Sequence, residues 1–380
     1  MTNTAKYWIW LTLGTGFNSP KQKRIYETYD SILDFYNGGI YEWRLCGIFS
    51  EKELDALQNT KLSDAENILR ECKRLSYDVL CIDEEEYPSK LRDIYAPPSA
   101  LYVWGKMPDV NERLSIAMVG TRNATRYGVM ASHTLSASLS KLGVIIVSGG
   151  ALGIDSASHI GTLEAGGTTI CVLGCGIDTK YLQGNAPMRK NIAQTGAVIS
   201  EYPPGTNAFP SNFPVRNRII SALSDGVIVV EADEKSGSLI TVNHALEQGR
   251  EVFAVMGNIN SRYSTGTNKM IKDGATPVTS YMDIVEAFPQ FHVVTDNIPK
   301  TEFSAQNNPE INKEPVVHRT DIELSDTVKM IYDCISNEPV HVDQIVLKTG
   351  LPISRVLQSL TELELLSLIS CHQGRLYKLV

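Results

Sequence analysis

Two aromatics and two arginines fall within ten residues in the run Phe209-Pro210-Ser211-Asn212-Phe213-Pro214-Val215-Arg216-Asn217-Arg218. An aromatic face stacks on an unpaired base and a guanidinium fork grips a phosphate, which is the chemistry that binding a nucleic-acid single strand requires. A structural reading stays open beside it, in which Phe213 is core and the arginines pair with carboxylates, Arg218 being the better candidate for that role.

Other turns carry phosphate chemistry. The apolar run Ile116 to Val119 leads into Gly120-Thr121-Arg122, where backbone amides, a hydroxyl and a guanidinium gather at a helix start. Val227 to Glu231 is followed by Ser236-Gly237-Ser238, a second small-residue helix start with hydroxyls and amides. Between them, Ser148 to Asp155 is rich in glycine, as a turn must be where a ligand or another backbone comes close. Asp155 and His159 share a helix face at i and i+4, but no third ligand is near in sequence and a structural role is expected for both. Cys175, in Gly174-Cys175-Gly176, reads as a small packing residue. A P-loop, a Gly-x-Ser-x-Gly elbow, a His-Glu-x-x-His helix and a clustered acidic nuclease site are all missing from the sequence, so no ordinary catalytic constellation, metal site or cofactor is expected.

The elements that must position these residues are short β-branched runs separated by helices: Ile116–Val119, Val144–Val147, Thr169–Leu173, Val198–Ile199, Val227–Val230 and Val252–Val255. That alternation implies a parallel sheet covered on both faces, whose strand-end turns converge on one crevice. The expected class is α/β. Residues 1–80, with helical spacing in Lys21 to Phe35 and Ser50 to Leu57, read as a small helical domain. Residues 81–288 hold the sheet, with a Pro-punctuated entry and an edge strand at Ala100 to Trp104. The polar stretch 289–323 reads as a linker. Residues 324–380 show three helical patterns and a hairpin about Gln373-Gly374, the winged-helix plan. The would-be recognition helix Ile353 to Leu366 offers Arg355 against Glu362 and Glu364, which suits a protein contact better than a duplex.

The 380 residues carry a formal charge of −8, which argues against nonspecific coating of nucleic acid over the whole surface. The stretch from Gly120 to Ala275 is roughly +2, so the acidic excess lies in the flanks. Seven scattered cysteines without a Cys-x-x-Cys pair fit a reducing cytosol. The apolar run Tyr7 to Leu13 is too short for a membrane span and lacks a signal-peptide pattern.

Taken together, Val119-Gly120-Thr121-Arg122, Ser148 to Asp155 with His159, Ser200-Glu201-Tyr202-Pro203-Pro204-Gly205, Phe213 to Ile220, Ser236 to Thr241, Gly249-Arg250-Glu251-Val252 and Gly266-Thr267-Asn268 resemble the bacterial DNA-processing protein A (DprA/Smf) family. The resemblance runs over nearly the whole length. It implies a sterile-alpha-motif-like helical domain, an extended Rossmann domain and a winged helix, single-stranded DNA binding, homodimers, and loading of the recombinase RecA during natural transformation, without a cofactor or turnover. Carried over by position, Gly120, Thr121 and Arg122 would take a phosphate, Phe213 would lie against a base, and Arg216, Asn217 and Arg218 would line the pocket with Ser236, Gly237 and Ser238. Leu152 stands where the family often has a basic residue, Leu182 where a Pro follows the Tyr, and Met256 where a Pro precedes Gly257. The competing class is a nucleotide-processing enzyme similar to nucleoside-monophosphate phosphoribohydrolases. Those carry Pro-Gly-Gly-x-Gly-Thr with a nearby catalytic Glu where this chain has Ser236-Gly237-Ser238-Leu239. A duplex-specific regulator working through the winged helix ranks last.

Overall fold

The computed structural model describes residues 4–291, 326–336, 340–365, 369–372 and 376–379. They fall into two compact units, within 1–303 and 304–380. The first opens with helices α1 (Ala5–Thr15), α2 (Pro20–Thr28), α3 (Ile32–Leu45), α4 (Glu51–Asn59) and α5 (Leu62–Leu75). Their boundaries follow from capping. Ser19 accepts from the Lys21 amide with Pro20 at the first helical position, Ser31 accepts from Leu33, and Ser50 with Glu53 closes a capping box. The helical pattern from Lys21 to Phe35 is therefore two helices, parted at Tyr29–Ser31. The early apolar run lies inside α1, where Trp8, Ile9, Trp10 and Leu11 are buried. Among the described residues no helix is long and apolar enough to cross a membrane.

Next come β1 (Asp78–Cys81), α6 (Ser89–Arg92), β2 (Ala100–Gly105), β3 (Ser115–Val119), α7 (Arg126–Lys141), β4 (Ile145–Ser148), α8 (Ile154–Glu164) and β5 (Thr169–Leu173). They are followed by α9 (Ala186–Thr195), β6 (Ala197–Ser200), α10 (Asn212–Ala222), β7 (Gly226–Val229), α11 (Ser238–Glu247), β8 (Glu251–Val255), α12 (Thr265–Lys272), β9 (Thr276–Val278) and α13 (Met282–Val285). The nine strands form one sheet in the order β1-β2-β6-β5-β4-β3-β7-β8-β9. From β6 to β9 all neighbours are parallel, and β1 and β2 add an antiparallel margin. β1 and β9 go beyond the strands expected from the sequence pattern. Each has only three or four residues, and their apolar content is too short a signal to read alone.

Because successive strand residues face opposite ways, each central strand supplies two cores. Ile116 and Met118 of β3, Ile146 of β4 and Ile228 of β7 pack with Leu135 and Leu139 of α7 on one face. Ala117, Val119, Val147 and Val229 pack on the other with Ile219 and Ile220 of α10, in a core that also takes in Trp8 and Trp10 of α1. The chain winds outward from β3 to β6 in one direction and from β7 to β9 in the other. The order thus reverses between β3 and β7, and a crevice opens at the carboxyl ends of those two strands.

The second unit holds α14 (Asp326–Tyr332), β10 (Val340–His341), α15 (Val342–Thr349), α16 (Ile353–Leu365), β11 (Ile369–His372) and β12 (Leu376–Leu379), with strand order β10-β12-β11. This is the winged-helix plan, built over Val328, Ile331, Ile345, Val356 and Leu360. Arg355 is exposed on α16; the side chains of Glu362 and Glu364, most of the expected linker, and the Gln373-Gly374 turn lie outside the described residues.

Candidate nucleic-acid interface at the topological switch point

A cleft of about 610 Å³ occupies the β3/β7 switch point and is lined by Gly120, Thr121 and Arg122, by Phe213, Arg216 and Asn217, and by Ser236, Gly237 and Ser238. Segments as far apart in the chain as Gly120 and Ser238 are thereby brought together by the parallel sheet. The β3 turn is set by hydrogen bonds. The Thr121 amide donates to the Glu231 carbonyl at 2.8 Å, and the Glu231 carboxylate accepts from the Thr125 amide at 2.8 Å and the Thr125 hydroxyl at 2.5 Å. Glu231 is buried and holds the start of α7 in place. The turn after β4 approaches so closely that a Cβ at Gly153, whose φ is +77°, would lie 2.4 Å from the Thr121 carbonyl oxygen. No side chain fits there.

Phe213 is half-buried in the first turn of α10 and lines the cleft with two guanidinium groups near its ring. The Arg122 guanidinium lies 5.6 Å from its ring centroid and that of Arg216 5.8 Å, both within cation–π range. Tyr181 tilts against the same ring, centroids 5.1 Å apart. The two arginines differ in kind. Arg122 is exposed at the mouth. Arg216 is 4% exposed; its Nη1 donates to the Gly149 carbonyl at 2.8 Å and to the Val172 carbonyl, and its Nε donates to Asn217 Oδ1 at 3.2 Å. Burial pulls its pKa down from the ordinary arginine value, with Asp155 opposing. Arg216 therefore forms a fixed positive floor, whereas Arg122 is free to meet a ligand. Opposite them the Ser236 and Ser238 hydroxyls lie 2.8 Å apart at the start of α11, with exposed Lys235 beside them. The helix start adds partial positive charge. Acidic groups on the lining are occupied: Asp233 accepts from the Lys235 amide and pairs with Arg262 at 3.4 Å, and Asp155 accepts from the Ala151 amide at 3.3 Å.

Arg218 does not line this cleft, which corrects its placement among the pocket residues. It points the other way on α10, since two residues on a helix turn the side chain to the far face. There its Nη2 donates to both Glu201 oxygens, at 2.7 and 2.8 Å, and its Nε to Asn18 Oδ1 at 2.6 Å, tying α10 to the segment between α1 and α2. Asp155 and His159 are both buried in α8. His159 Nδ1 sits 2.8 Å from the Thr169 hydroxyl, and burial, aided by Arg216, lowers its pKa to about 3, so it is neutral at physiological pH. The Cys175 thiol is buried with its pKa pushed up, principally by desolvation, as suits a packing residue. Among the described residues no group of three His, Cys, Asp or Glu side chains is placed to hold a metal ion. Tyr181 and Lys235 are cleft residues that the sequence reading missed. Each lies several residues past a strand end, where loop geometry rather than periodicity decides what faces inward.

The family described as DNA recombination-mediator protein A matches residues 78–289, and the DprA winged helix domain matches residues 318–375. Protein Smf of Synechocystis is 33% identical over 332 residues, covering 82% of each chain, and Protein Smf of Escherichia coli is 35% identical over 302 residues, 79% of this chain and 76% of its own. DNA processing protein DprA of Bacillus subtilis is 42% identical over 226 residues, 60% of this chain and 76% of its own. Among solved structures, DNA processing protein A of Streptococcus pneumoniae superposes with a TM-score of 0.59 at 31% identity, over 75% of this chain and 98% of that one. The same protein from Helicobacter pylori, whose structure is described for its single-stranded DNA binding mode, gives 0.51 at 32% identity over 56% and 96%. With the switch-point cleft, the winged helix and a family match over more than half its length, the chain belongs to the DNA recombination-mediator protein A (DprA/Smf) family.

Proposed function

We propose that the chain binds single-stranded DNA in the switch-point cleft and acts as a recombination mediator, protecting incoming strands and loading RecA onto them during natural transformation, as a cytoplasmic homodimer and without turning its ligand over. The observation that carries this reading is Phe213, a half-buried ring flanked by Arg122 and Arg216 and set opposite the Ser236–Ser238 helix start. A ring that receives a base beside cations that receive its phosphates is what a sequence-tolerant single-strand site needs. A duplex hides its base faces and gains nothing from the ring. The single-stranded DNA binding mode described for the Helicobacter pylori relative supports the same choice of ligand. The curated relatives named for DNA processing support the wider role.

The test is fluorescence anisotropy with labelled oligo-dT, single-stranded and as duplex, across a salt series, for the wild type and Arg122→Ala. Single strands should bind preferentially and weaken with salt, and Arg122→Ala should lose about 1–3 kcal/mol. If neither form of DNA binds, or the variant binds like the wild type, the cleft is not a strand site; hydrolysis of nucleoside monophosphates would then favour the phosphoribohydrolase-like reading.

A further inference from the structure

The switch-point cleft is not closed on the Phe213 side. A second compartment of about 540 Å³ adjoins it, and the two share Tyr181 and Ala208 as wall residues. Resting on the single-strand reading above, we propose that the strand continues from Phe213 over Tyr181 into this second compartment, where Tyr181 receives the next base and Lys180 the phosphate beyond it.

Three features support a built surface rather than a chance hollow. Two loops form it, and they are pinned together. The Gly205 amide donates to Asp178 Oδ1 at 2.9 Å and Oδ2 at 3.1 Å, the Gly176 amide donates to the Thr206 carbonyl at 2.9 Å, and the Thr179 hydroxyl donates to the same carbonyl at 2.8 Å. Asp178, the acidic residue of the compartment, is thus held on a backbone amide while Lys180 is exposed beside it. The main chain at Tyr181 is held from behind as well. Buried Arg189 donates from Nη2 to the Tyr181 carbonyl at 3.0 Å, and Leu182 takes up the left-handed region at φ +46°. Finally, the Tyr181 and Phe213 rings stand 5.1 Å apart at 40°, two adjacent π faces leading from one compartment into the next. Base–aromatic stacking tolerates any base, so a second ring extends the site without adding sequence preference.

The test is oligo-dT of increasing length, from two nucleotides to twelve, titrated against the full-length wild type, Tyr181→Ala, Tyr181→Phe, Lys180→Ala and Arg122→Ala. For the longer oligomers Tyr181→Ala should weaken binding by about 5- to 150-fold. On the dinucleotide, which fills only the first cleft, it should have little effect. Tyr181→Phe should behave like the wild type at every length, and Lys180→Ala should flatten the salt dependence by about 0.7 in slope for the longer oligomers alone. Equal loss at all lengths would mean that Tyr181 acts only by bracing Phe213, and the second compartment would be discarded. Wild-type behaviour of Tyr181→Ala at every length, with Arg122→Ala still impaired, would likewise overturn this extension while leaving the first cleft standing. If Arg122→Ala is also unimpaired, the single-strand reading itself falls.

Discussion

Replacing Arg218 by methionine should unfold this protein more readily without touching the switch-point cleft, the opposite of what replacing Arg122 should do. The Arg218 side chain is 6% exposed and that of Glu201 1%, and they meet through two hydrogen bonds at 2.7 and 2.8 Å. Asn18 joins both, its side-chain Oδ1 accepting from Arg218 Nε at 2.6 Å and its backbone N–H donating to Glu201 Oε1 at 3.2 Å. Methionine keeps much of the volume and removes the charge, which strands the Glu201 carboxylate in a site where water cannot reach it. Breaking a buried pair from one side costs about 3–5 kcal/mol, a large part of a total stability of about 5–15 kcal/mol. The double variant Glu201→Leu with Arg218→Met removes the stranded charge and should recover most of the loss. Arg122→Met, made at an exposed site, should change stability by no more than about 0.5 kcal/mol. Urea unfolding followed by tryptophan fluorescence measures this directly, since the four tryptophans, Trp8, Trp10, Trp43 and Trp104, all lie in the unit that contains the pair. An Arg218→Met protein that is within about 1 kcal/mol of wild type and fails to bind oligo-dT would refute the assignment and return Arg218 to the ligand.

Two further outcomes follow from buried groups near the cleft. His159 binds a proton near pH 6.5 when unfolded and only near pH 3 when folded, so the unfolded chain holds the extra proton throughout that window and stability falls as pH drops through it. The loss approaches 1.4 kcal/mol per pH unit, so from pH 6.5 to 5 the wild type should lose about 2 kcal/mol more than His159→Gln; indistinguishable urea profiles would show that the histidine is not buried neutral. Gly153→Ala puts a Cβ against the Thr121 carbonyl on a backbone at φ +77°, so it should cost about 1–3 kcal/mol and weaken oligo-dT binding by displacing Arg122. Gly184→Ala, where a Cβ meets nothing, is the control for both readouts.

Much of the architecture was legible because its signals are local. The six central strands are β-branched runs, and a strand buried on both faces has no choice but to be apolar throughout. Glycines at the strand ends announced close approach, and the clustering of Phe213 with arginines on one short segment marked residues that line the switch-point cleft. The margin of the sheet was not legible. β1 pairs with β2, and β2 with β6, through backbone hydrogen bonds that any sequence can make. Nor did spacing separate the three arginines of the proposed site, which look alike as letters.

What the sequence determined by itself is therefore the class of fold, the order of its strands along the chain and the kinds of group at each strand end. Which groups meet was decided by the strand order β6-β5-β4-β3-β7-β8-β9, whose reversal at β3 and β7 opens the crevice into which the β3, α10 and α11 segments all point. The fate of each arginine was decided by packing. Arg122 stands at the mouth in water, Arg216 is held as a fixed positive charge by backbone carbonyls in the floor, and Arg218, turned to the far face of α10, is bound to Glu201. A guanidinium is committed by whatever oxygens surround it, and those oxygens come from residues distant in the chain, so only the folded arrangement assigns its role.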